Sequence, residues 1–204
     1  GADAARAGRM MPLFSAAAPL VQAAQKAAAH GPALLAIDGR CGSGKTTLAD
    51  WLAQQLGCRV VHTDDFYLPP AKRCEGWQRQ PGANMDFCRL RQEVLQPLLR
   101  GQTAQYRAYI CADGAFLPPV PLPAAPLTIV EGSYSLHPAL QTEFALRVFV
   151  TCPPDIQAAR LQTREGARYA QFVQRWIPLE EGYFAAHDPA ARCDFVLDTS
   201  TFFV

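Results

Sequence analysis

The sequence predicts an α/β fold in which helices cover both faces of a parallel sheet. Short apolar runs alternate with helical segments along the chain, and this order is typical of parallel sheets with helical crossovers. Several of these runs are apolar throughout, as are strands buried on both faces. Hydrophobic residues make up 50% of the 204 residues and charged residues 18%, so the chain can form a sizeable core.

Strands and helices are predicted in regular succession. Five apolar runs are flanked by Gly, Pro or Asp residues. These runs are the predicted strands 33–37, 59–62, 127–130, 146–151 and 195–197. Apolar periodicity and stop residues predict helices at 15–30, 46–56, 87–99, 155–163 and 171–186. Residues 104–116 are expected to form a hairpin, and the proline-rich stretch 117–126 an extended connector. We expect a loose lead-in at 1–14 and a single domain over 15–204.

The charge balance and the cysteines narrow the class of protein. The net charge is +1, which argues against a nucleic-acid partner because such binding depends on a surplus of Lys and Arg. No apolar run approaches the length of a membrane span, so no membrane partner is expected. The seven cysteines are scattered without Cys-x-x-Cys spacing, which indicates reduced thiols and a cytoplasmic location.

The segment 39–46 matches the phosphate-binding pattern G-x-x-x-x-G-K-[ST] without substitution. It lies between a predicted strand and a predicted helix, so we favour a nucleotide loop over a glycine-rich turn without ligand. Glycines let backbone N–H groups approach a polyphosphate, and the helix presents its positive end to the same anion. Lys45 would reach the β- and γ-phosphates, Thr46 would bind Mg²⁺, and Cys41 would expose its thiol. The residues expected to bind ATP are Gly39, Cys41, Gly42, Ser43, Gly44, Lys45, Thr46 and Thr47.

Carboxylates after two other strands favour a kinase among the P-loop proteins. A GTPase would carry an Asn-Lys-x-Asp segment, which the sequence lacks. A kinase needs a base for the acceptor hydroxyl, an acid near Mg²⁺ and mobile arginines. Asp64 and Asp65 follow the strand 59–62, at the sheet edge where ligands bind, and supply the base unless they form a plain Asp-rich turn. Glu131 follows the strand 127–130 and would hold Mg²⁺, with a capping or solvated Glu as the alternative.

Three segments together resemble the uridine kinase-like family. They are the phosphate loop with its flanking residues at 38–47, Asp-Asp-Phe-Tyr at 64–67 and Val-Glu-Gly-Ser-Tyr at 130–134. Phosphoribulokinase and pantothenate kinase are relatives of that family. The resemblance extends from about residue 34 to residue 197. It implies a P-loop fold whose five-stranded parallel sheet has the order 2-3-1-4-5. It also implies an acceptor-binding insertion with a small hairpin at about 66–122, and a helical lid at about 155–182.

The resemblance further implies roles for individual residues. Asp64 takes the place of the catalytic base and joins Thr46 and Glu131 around Mg²⁺. Arg160 and Arg164 lie on one face of the lid helix at i, i+4 spacing and are candidate catalytic residues, with surface salt bridges as the alternative. The residues expected to bind the acceptor are Asp65, Tyr67, Asp86, Tyr106, Tyr109 and Arg168.

These features predict a kinase that uses ATP and Mg²⁺ to phosphorylate a hydroxyl on a small metabolite, with a nucleoside such as uridine or cytidine as the favoured acceptor. Ile110 stands where relatives tend to have Asp, so a kinase for pantothenate or another sugar or ribosyl metabolite is the alternative. A nucleotide-dependent regulatory ATPase is the alternative from another class. The small-molecule acceptor is the expected partner, and the sequence leaves open whether the chain forms a homo-oligomer.

Overall fold

A parallel sheet lies at the centre of the molecule. The computed structural model describes the backbone of residues 2–201 and the side chains of residues 16–201. In chain order its strands are β1 (Ala33–Gly39), β2 (Arg59–His62), β3 (Ala104–Tyr106), β4 (Tyr109–Ile110), β5 (Ala115–Phe116), β6 (Val120–Leu122), β7 (Leu127–Glu131), β8 (Leu146–Thr151) and β9 (Phe195–Asp198).

The central sheet has the strand order β2-β7-β1-β8-β9 within the described residues, and each neighbouring pair is parallel. The five strands predicted from the sequence correspond to these five, so the expected α/β class and the order 2-3-1-4-5 are confirmed. Every residue of β1 and β7 is buried, as expected for strands that are covered on both faces.

Helices join and cover these strands. They are α1 (Ala2–Ala29), α2 (Lys45–Leu56), α3 (Phe87–Arg89), α4 (Gln96–Leu99), α5 (Pro154–Glu165), α6 (Tyr169–Gln171) and α7 (Ile177–His187). A π-helical segment, Leu90–Leu95, joins α3 to α4, and another, Phe172–Trp176, joins α6 to α7, so each pair forms one continuous helical stretch. Within residues 2–201, none of the helices combines the length and the hydropathy of a membrane span.

The first helix is longer than predicted. A loose lead-in was expected at 1–14, but α1 already begins at Ala2. The physical reason is composition, because alanine has the highest helix propensity and recurs from Ala2 onwards.

Alternate residues of β1 supply two hydrophobic cores on opposite faces of the sheet, because successive side chains of a strand point in opposite directions. Leu35 and Ile37 pack in the core that also contains Leu20 of α1 and Leu48 and Leu52 of α2. The opposite core contains Leu34, Ala36, Leu90, Val94, Leu95 and Leu98. Helical segments therefore cover both faces, and the carboxyl ends of the strands are left for ligands.

The segment from residue 104 to residue 122 forms a two-tiered hairpin beside the main sheet. β4 pairs with β5 and β3 pairs with β6, both antiparallel. The hairpin expected at 104–116 is therefore present, but its outer tier reaches into the stretch 117–126 that was expected to be a connector only. Pro121 lies opposite Gln105 in this ladder, and a short edge ladder tolerates proline because the ring removes only one donor.

Candidate active site

The carboxyl ends of β1, β7 and β2 place three chemically distinct segments side by side. Ile37 of β1 and His62 of β2 both pair with Glu131, the last residue of β7. The phosphate loop leaves β1 two residues further on, and Asp64 follows β2 at the same edge. The parallel sheet thus gathers a glycine-rich loop and two acidic segments that are far apart in the sequence.

The phosphate loop has the backbone shape that anion binding requires. Gly42 and Gly44 have φ angles of 72° and 97°, which residues with a Cβ rarely adopt. Gly39 has φ 147°, and a Cβ there would lie 2.1 Å from the carbonyl oxygen of Val150. Among the described residues no side chain caps the N-terminus of α2, so its first N–H groups remain available. The loop therefore fits a phosphate group.

Lys45 is held by the loop itself. Its Nζ donates to the carbonyl oxygens of Gly39 at 3.1 Å and of Arg40 at 2.9 Å, and the residue is buried although it lines the cavity. The ammonium group therefore keeps the loop in shape and is at the same time presented to a ligand.

Cys41 differs from the expectation of an exposed thiol. The residue is buried, and this burial together with the negative charge of Glu180 raises the pKa of its thiol to about 12. The Cys41 N–H donates to Glu180 Oε2 at 3.0 Å, and Gln157 Nε2 donates to the Cys41 carbonyl at 2.9 Å. The side chain is covered because α5 and α7 pack on the loop, and the pattern G-x-x-x-x-G-K-[ST] contains no information about those helices.

An oxygen-rich corner lies beside the loop. The Thr46 hydroxyl is 3.3 Å from Glu131 Oε1 and 3.4 Å from Oε2. The same Oε1 is 2.5 Å from Nδ1 of His62, and this hydrogen bond raises the pKa of His62. Hydroxyl and carboxylate oxygens are the ligands that Mg²⁺ prefers, so Thr46 and Glu131 fit a Mg²⁺ ion next to a bound phosphate.

The two neighbouring aspartates point in different directions. Asp64 lines the cavity and accepts a hydrogen bond from the Tyr67 hydroxyl at 3.1 Å. The cavity walls remove water from around the Asp64 carboxylate, and this desolvation, together with the negative charge of Glu131, raises its pKa. Asp65 instead accepts a hydrogen bond from the Tyr106 hydroxyl at 2.6 Å. Of the two carboxylates, Asp64 is the one placed for chemistry in the cavity.

A cavity of about 740 Å³ brings most of the predicted site together. One wall is the phosphate loop with Lys45, Thr46 and Thr47, and another is formed by Asp64 and Glu131. Four aromatic side chains also line the cavity, namely Tyr67, Tyr134, Phe172 and Trp176. This volume is in the range of small-molecule sites in proteins.

Besides Asp65, three of the residues expected at the acceptor have other partners in this structure. Asp86 accepts a hydrogen bond from the Arg89 N–H at 3.1 Å and thereby caps α3. The Tyr106 hydroxyl donates to the Asp65 carboxylate, and Tyr109 is buried against the ring of Phe116. Their expected contacts with an acceptor stay predictions. The resemblance to a family motif predicts where in the chain these residues lie, but it does not predict which way their side chains point.

Three arginines of the expected lid, Arg160, Arg164 and Arg168, lie in different environments. Arg164 lines the cavity and forms an ion pair with Glu165 at 2.9 Å. Arg168 is exposed and pairs with the same carboxylate at 3.1 Å. Arg160 donates to the Thr199 carbonyl at 2.6 Å and reaches the carbonyl of Ser43 at 3.4 Å, so it braces the phosphate loop from outside. Of these three, Arg164 is the one placed to meet a bound phosphate.

The end of the expected lid is fixed to the phosphate loop, which the sequence reasoning missed. Glu180 of α7 accepts hydrogen bonds from the Cys41 N–H and, at 3.0 Å, from the Ser133 hydroxyl. Glu181 forms an ion pair with Arg40. The Tyr183 hydroxyl donates to Asp38 Oδ2 at 2.7 Å. The first turns of α7 therefore belong to the wall of the site.

The strand order, the phosphate loop after β1 and the acidic residues at the ends of β2 and β7 define the fold of P-loop kinases. Among solved structures, the chain is similar to a possible uridine kinase from Bacillus stearothermophilus, with a TM-score of 0.72 and 23% identity over 92% of this chain and 100% of that chain. It is also similar to a "putative fructose transport system kinase" from Silicibacter sp. TM1040, with a TM-score of 0.62 and 22% identity over 88% of this chain and 98% of that chain. No protein-family model matches the sequence.

Proposed function

We propose that the protein transfers the γ-phosphoryl group of ATP to a hydroxyl of a small metabolite, and that the acceptor is a nucleoside such as uridine or cytidine. The observation that carries this proposal is the shared cavity, in which the carboxylate of Asp64 faces the same space as the phosphate loop. A nucleotide-dependent regulatory ATPase would use such a carboxylate on water, so dependence of turnover on an added acceptor distinguishes the two functions.

ATP and Mg²⁺ fit the residues that surround the loop. The amides of the glycine-rich loop and of the start of α2 would hold the phosphates, with Lys45 adding a positive charge. Thr46 and Glu131 would hold Mg²⁺, with Asp64 next to them. When bound, Mg²⁺ supplies positive charge that neutralises the phosphate oxygens.

Asp64 would act on the acceptor. A carboxylate with a raised pKa accepts a proton from a hydroxyl more readily, because general-base efficiency increases with basicity as long as the group remains ionised. The Tyr67 hydroxyl bonded to Asp64 fixes the direction of the carboxylate. Arg164, which also lines the cavity, would meet the phosphoryl group, and the rings of Phe172 and Trp176 in the same lining would keep water away from it.

A nucleoside is favoured as the acceptor for two reasons. The first solved structure named above is described as a possible uridine kinase. The four aromatic side chains of the cavity, Tyr67, Tyr134, Phe172 and Trp176, offer flat surfaces for a base. A sugar kinase is the second candidate, because Ile110 leaves the hairpin without the carboxylate that relatives tend to have there.

Asp64→Asn and Asp65→Asn form a matched pair that tests this function. Asp64→Asn should slow phosphoryl transfer by about 10²- to 10⁴-fold, because the amide cannot accept the proton. Asp65→Asn should change it far less, because Asp65 is bonded to Tyr106. ADP release would be measured with uridine, cytidine, pantothenate and sugars as acceptors, and the ATP dissociation constant by calorimetry.

The ATP dissociation constant should stay close to the wild-type value in both variants, since the loop is intact. Full transfer activity in Asp64→Asn would contradict the proposed mechanism. ATP hydrolysis that no acceptor stimulates, but a protein partner does, would point to a regulatory ATPase instead. Addition of EDTA should abolish acceptor-dependent ADP release, because the phosphates then lack their metal.

A further inference from the structure

Arg89 is a buried arginine at which three segments of the molecule meet. It is the last residue of α3, and it is only 8% exposed. Its guanidinium group donates to one backbone carbonyl in the loop after β2 and to another in the hairpin, and it pairs with Glu93 one helical turn further on. A buried guanidinium group is tolerated only where acceptors surround it, so these partners also fix its orientation.

The first contact of Arg89 fixes the loop that carries the proposed base. Its Nη2 donates to the Asp65 carbonyl at 3.0 Å, and Asp65 directly follows Asp64 in the chain. The guanidinium group also lies over the ring of Phe66, with 4.2 Å between Cζ and the ring centroid, and Phe66 is fully buried in the core. Arg89 therefore holds the two residues after Asp64, one through its carbonyl and the other through its ring.

The second contact fixes the hairpin. Nη1 of Arg89 donates at 2.6 Å to the carbonyl of Arg107, which lies between β3 and β4. Cζ of Arg89 is 5.1 Å from the ring centroid of Phe116 in β5. Glu93 accepts from Arg89 at 3.2 Å and from Arg107 at 3.1 Å, so one carboxylate joins the two arginines. The hairpin, at which the acceptor is expected to bind, is thus tied to the same guanidinium group as the loop of the base.

The contacts of Arg89 require a guanidinium group. Its N–H donors point in fixed directions within one plane, so two nitrogens can serve carbonyls from two separate segments while the flat face covers a ring. A lysine ammonium group is a compact charge without such a plane. A lysine at position 89 would therefore keep the charge but lose part of the link between loop and hairpin.

We propose that Arg89 is a positioning residue for phosphoryl transfer, which sets the place of the Asp64 carboxylate relative to an acceptor held at the hairpin. This inference rests on the proposed kinase function. Arg89 is absent from the described lining of the cavity, so it acts through the backbone that it holds and not on the substrate. Proton transfer to a base depends on distance and direction, so a loosened loop slows transfer while the phosphate loop still binds ATP.

Arg89→Lys tests this role, with Arg100→Lys at an exposed arginine as the matched control. Arg89→Lys should lower kcat by about 10- to 100-fold, because a misplacement of about 1 Å can cost about a hundredfold in rate. The ATP dissociation constant, measured by calorimetry, should stay close to the wild-type value. Arg100→Lys should change neither quantity. The acceptor is the compound that stimulates ADP release most strongly.

A double-mutant cycle with Asp64→Asn separates positioning from a general loss of structure. If Arg89 acts through Asp64, Arg89→Lys should slow the residual transfer of Asp64→Asn by less than about twofold. A merely structural role would lower the rate by the same factor in both backgrounds. Should Arg89→Lys fail to fold, Phe116→Leu loosens the hairpin side at an exposed ring and should show the same dependence on Asp64, with a smaller effect.

An unchanged kcat in Arg89→Lys would overturn the inference. So would equal factors in the two backgrounds of the cycle, or a parallel loss of ATP affinity. Full activity of Asp64→Asn, or failure of every acceptor to stimulate ADP release, would instead refute the proposed function itself. The two proposals can therefore fail separately.

Discussion

At the scale of single residues, Lys45 shows how one side chain serves both the fold and the site. Its ammonium group bonds two carbonyls of the phosphate loop and is presented to the cavity at the same time. A bound phosphate would find this charge already fixed in place, so little reorganisation is needed.

Lys45→Ala should reduce phosphoryl transfer at least about a hundredfold, because a main electrostatic contact to the phosphates is lost. It should also lower the free energy of unfolding by about 1–3 kcal/mol, since two loop carbonyls lose their donor. Transfer rates and urea titrations would measure the two effects. Lys72→Ala, at an exposed lysine, is the control, and near-normal turnover in Lys45→Ala would contradict the assignment of the loop.

Glu131 is the residue whose role in metal binding is easiest to isolate. Glu131→Gln should raise the Mg²⁺ concentration needed for half-maximal activity by about 10- to 100-fold, because a charged oxygen donor beside Thr46 is removed. Glu93→Gln changes a carboxylate that pairs with Arg89 and Arg107 outside this corner, and should leave the Mg²⁺ titration unchanged. Identical titration curves for both variants would reassign Glu131 to a structural role.

At the scale of secondary-structure elements, α7 is attached to β1 through an ionisable contact, the hydrogen bond from Tyr183 to Asp38. Asp38 is fully buried, and this burial raises its pKa from 3.8 to about 6, although the hydrogen bond from Tyr183 lowers it in part. The raised pKa means that Asp38 favours folding most below pH 3.8 and that this contribution is lost as the pH rises through about 6. At neutral pH the charged carboxylate depends on its donors.

Tyr183→Phe should therefore destabilise the protein more at high pH than at low pH. Loss of the hydroxyl removes a donor to the charged carboxylate, at a cost of about 1.5–3 kcal/mol near pH 8, and about 1 kcal/mol near pH 5, where the carboxyl is largely protonated. The difference in unfolding free energy between wild type and variant at both pH values is the measurement. Equal differences would show that the Tyr183–Asp38 contact does not depend on charge.

The central strands were predictable because apolar runs between Gly, Pro and Asp leave few alternatives. The predicted bounds of 59–62 and 146–151 are those of β2 and β8. The pairing of His62 with Glu131 was also within reach of sequence reasoning, since the expected strand order places these two strand ends together. The attachment of α7 was not, because Cys41 and Glu180 are 139 residues apart and no local pattern links them.

Side-chain directions in the insertion were also beyond the sequence. The motif at 64–67 indicates a site but does not determine that Tyr106 bonds Asp65 while Tyr67 bonds Asp64. The same holds for Asn84, whose Oδ1 has no hydrogen-bond partner among the described residues and whose neighbour Met85 bridges to Tyr67. Contacts of this kind depend on how the loop packs on the sheet edge.

At the scale of the whole molecule, two segments outside the sheet, the expected insertion and the expected lid, meet above the carboxyl-end edge of the sheet. Trp77 of the expected insertion stacks on Trp176 of the expected lid, with 6.2 Å between ring centroids and 30° between planes. Arg175 approaches both rings. Because this contact bridges the two segments, we expect binding and release of an acceptor to disturb it.

The same ring pair gives the protein an optical signal of its own. The chain has three tryptophans. Trp51 is buried in the core on one face of the sheet, whereas Trp77 and Trp176 stack on each other. Indole emission shifts with polarity and with the proximity of a second ring, so nucleotide and acceptor should change the emission of Trp77 and Trp176 and leave that of Trp51 constant. In stopped flow, Trp51→Phe should retain the full amplitude and Trp77→Phe should lose most of it, which would time the opening of the lid without any attached dye.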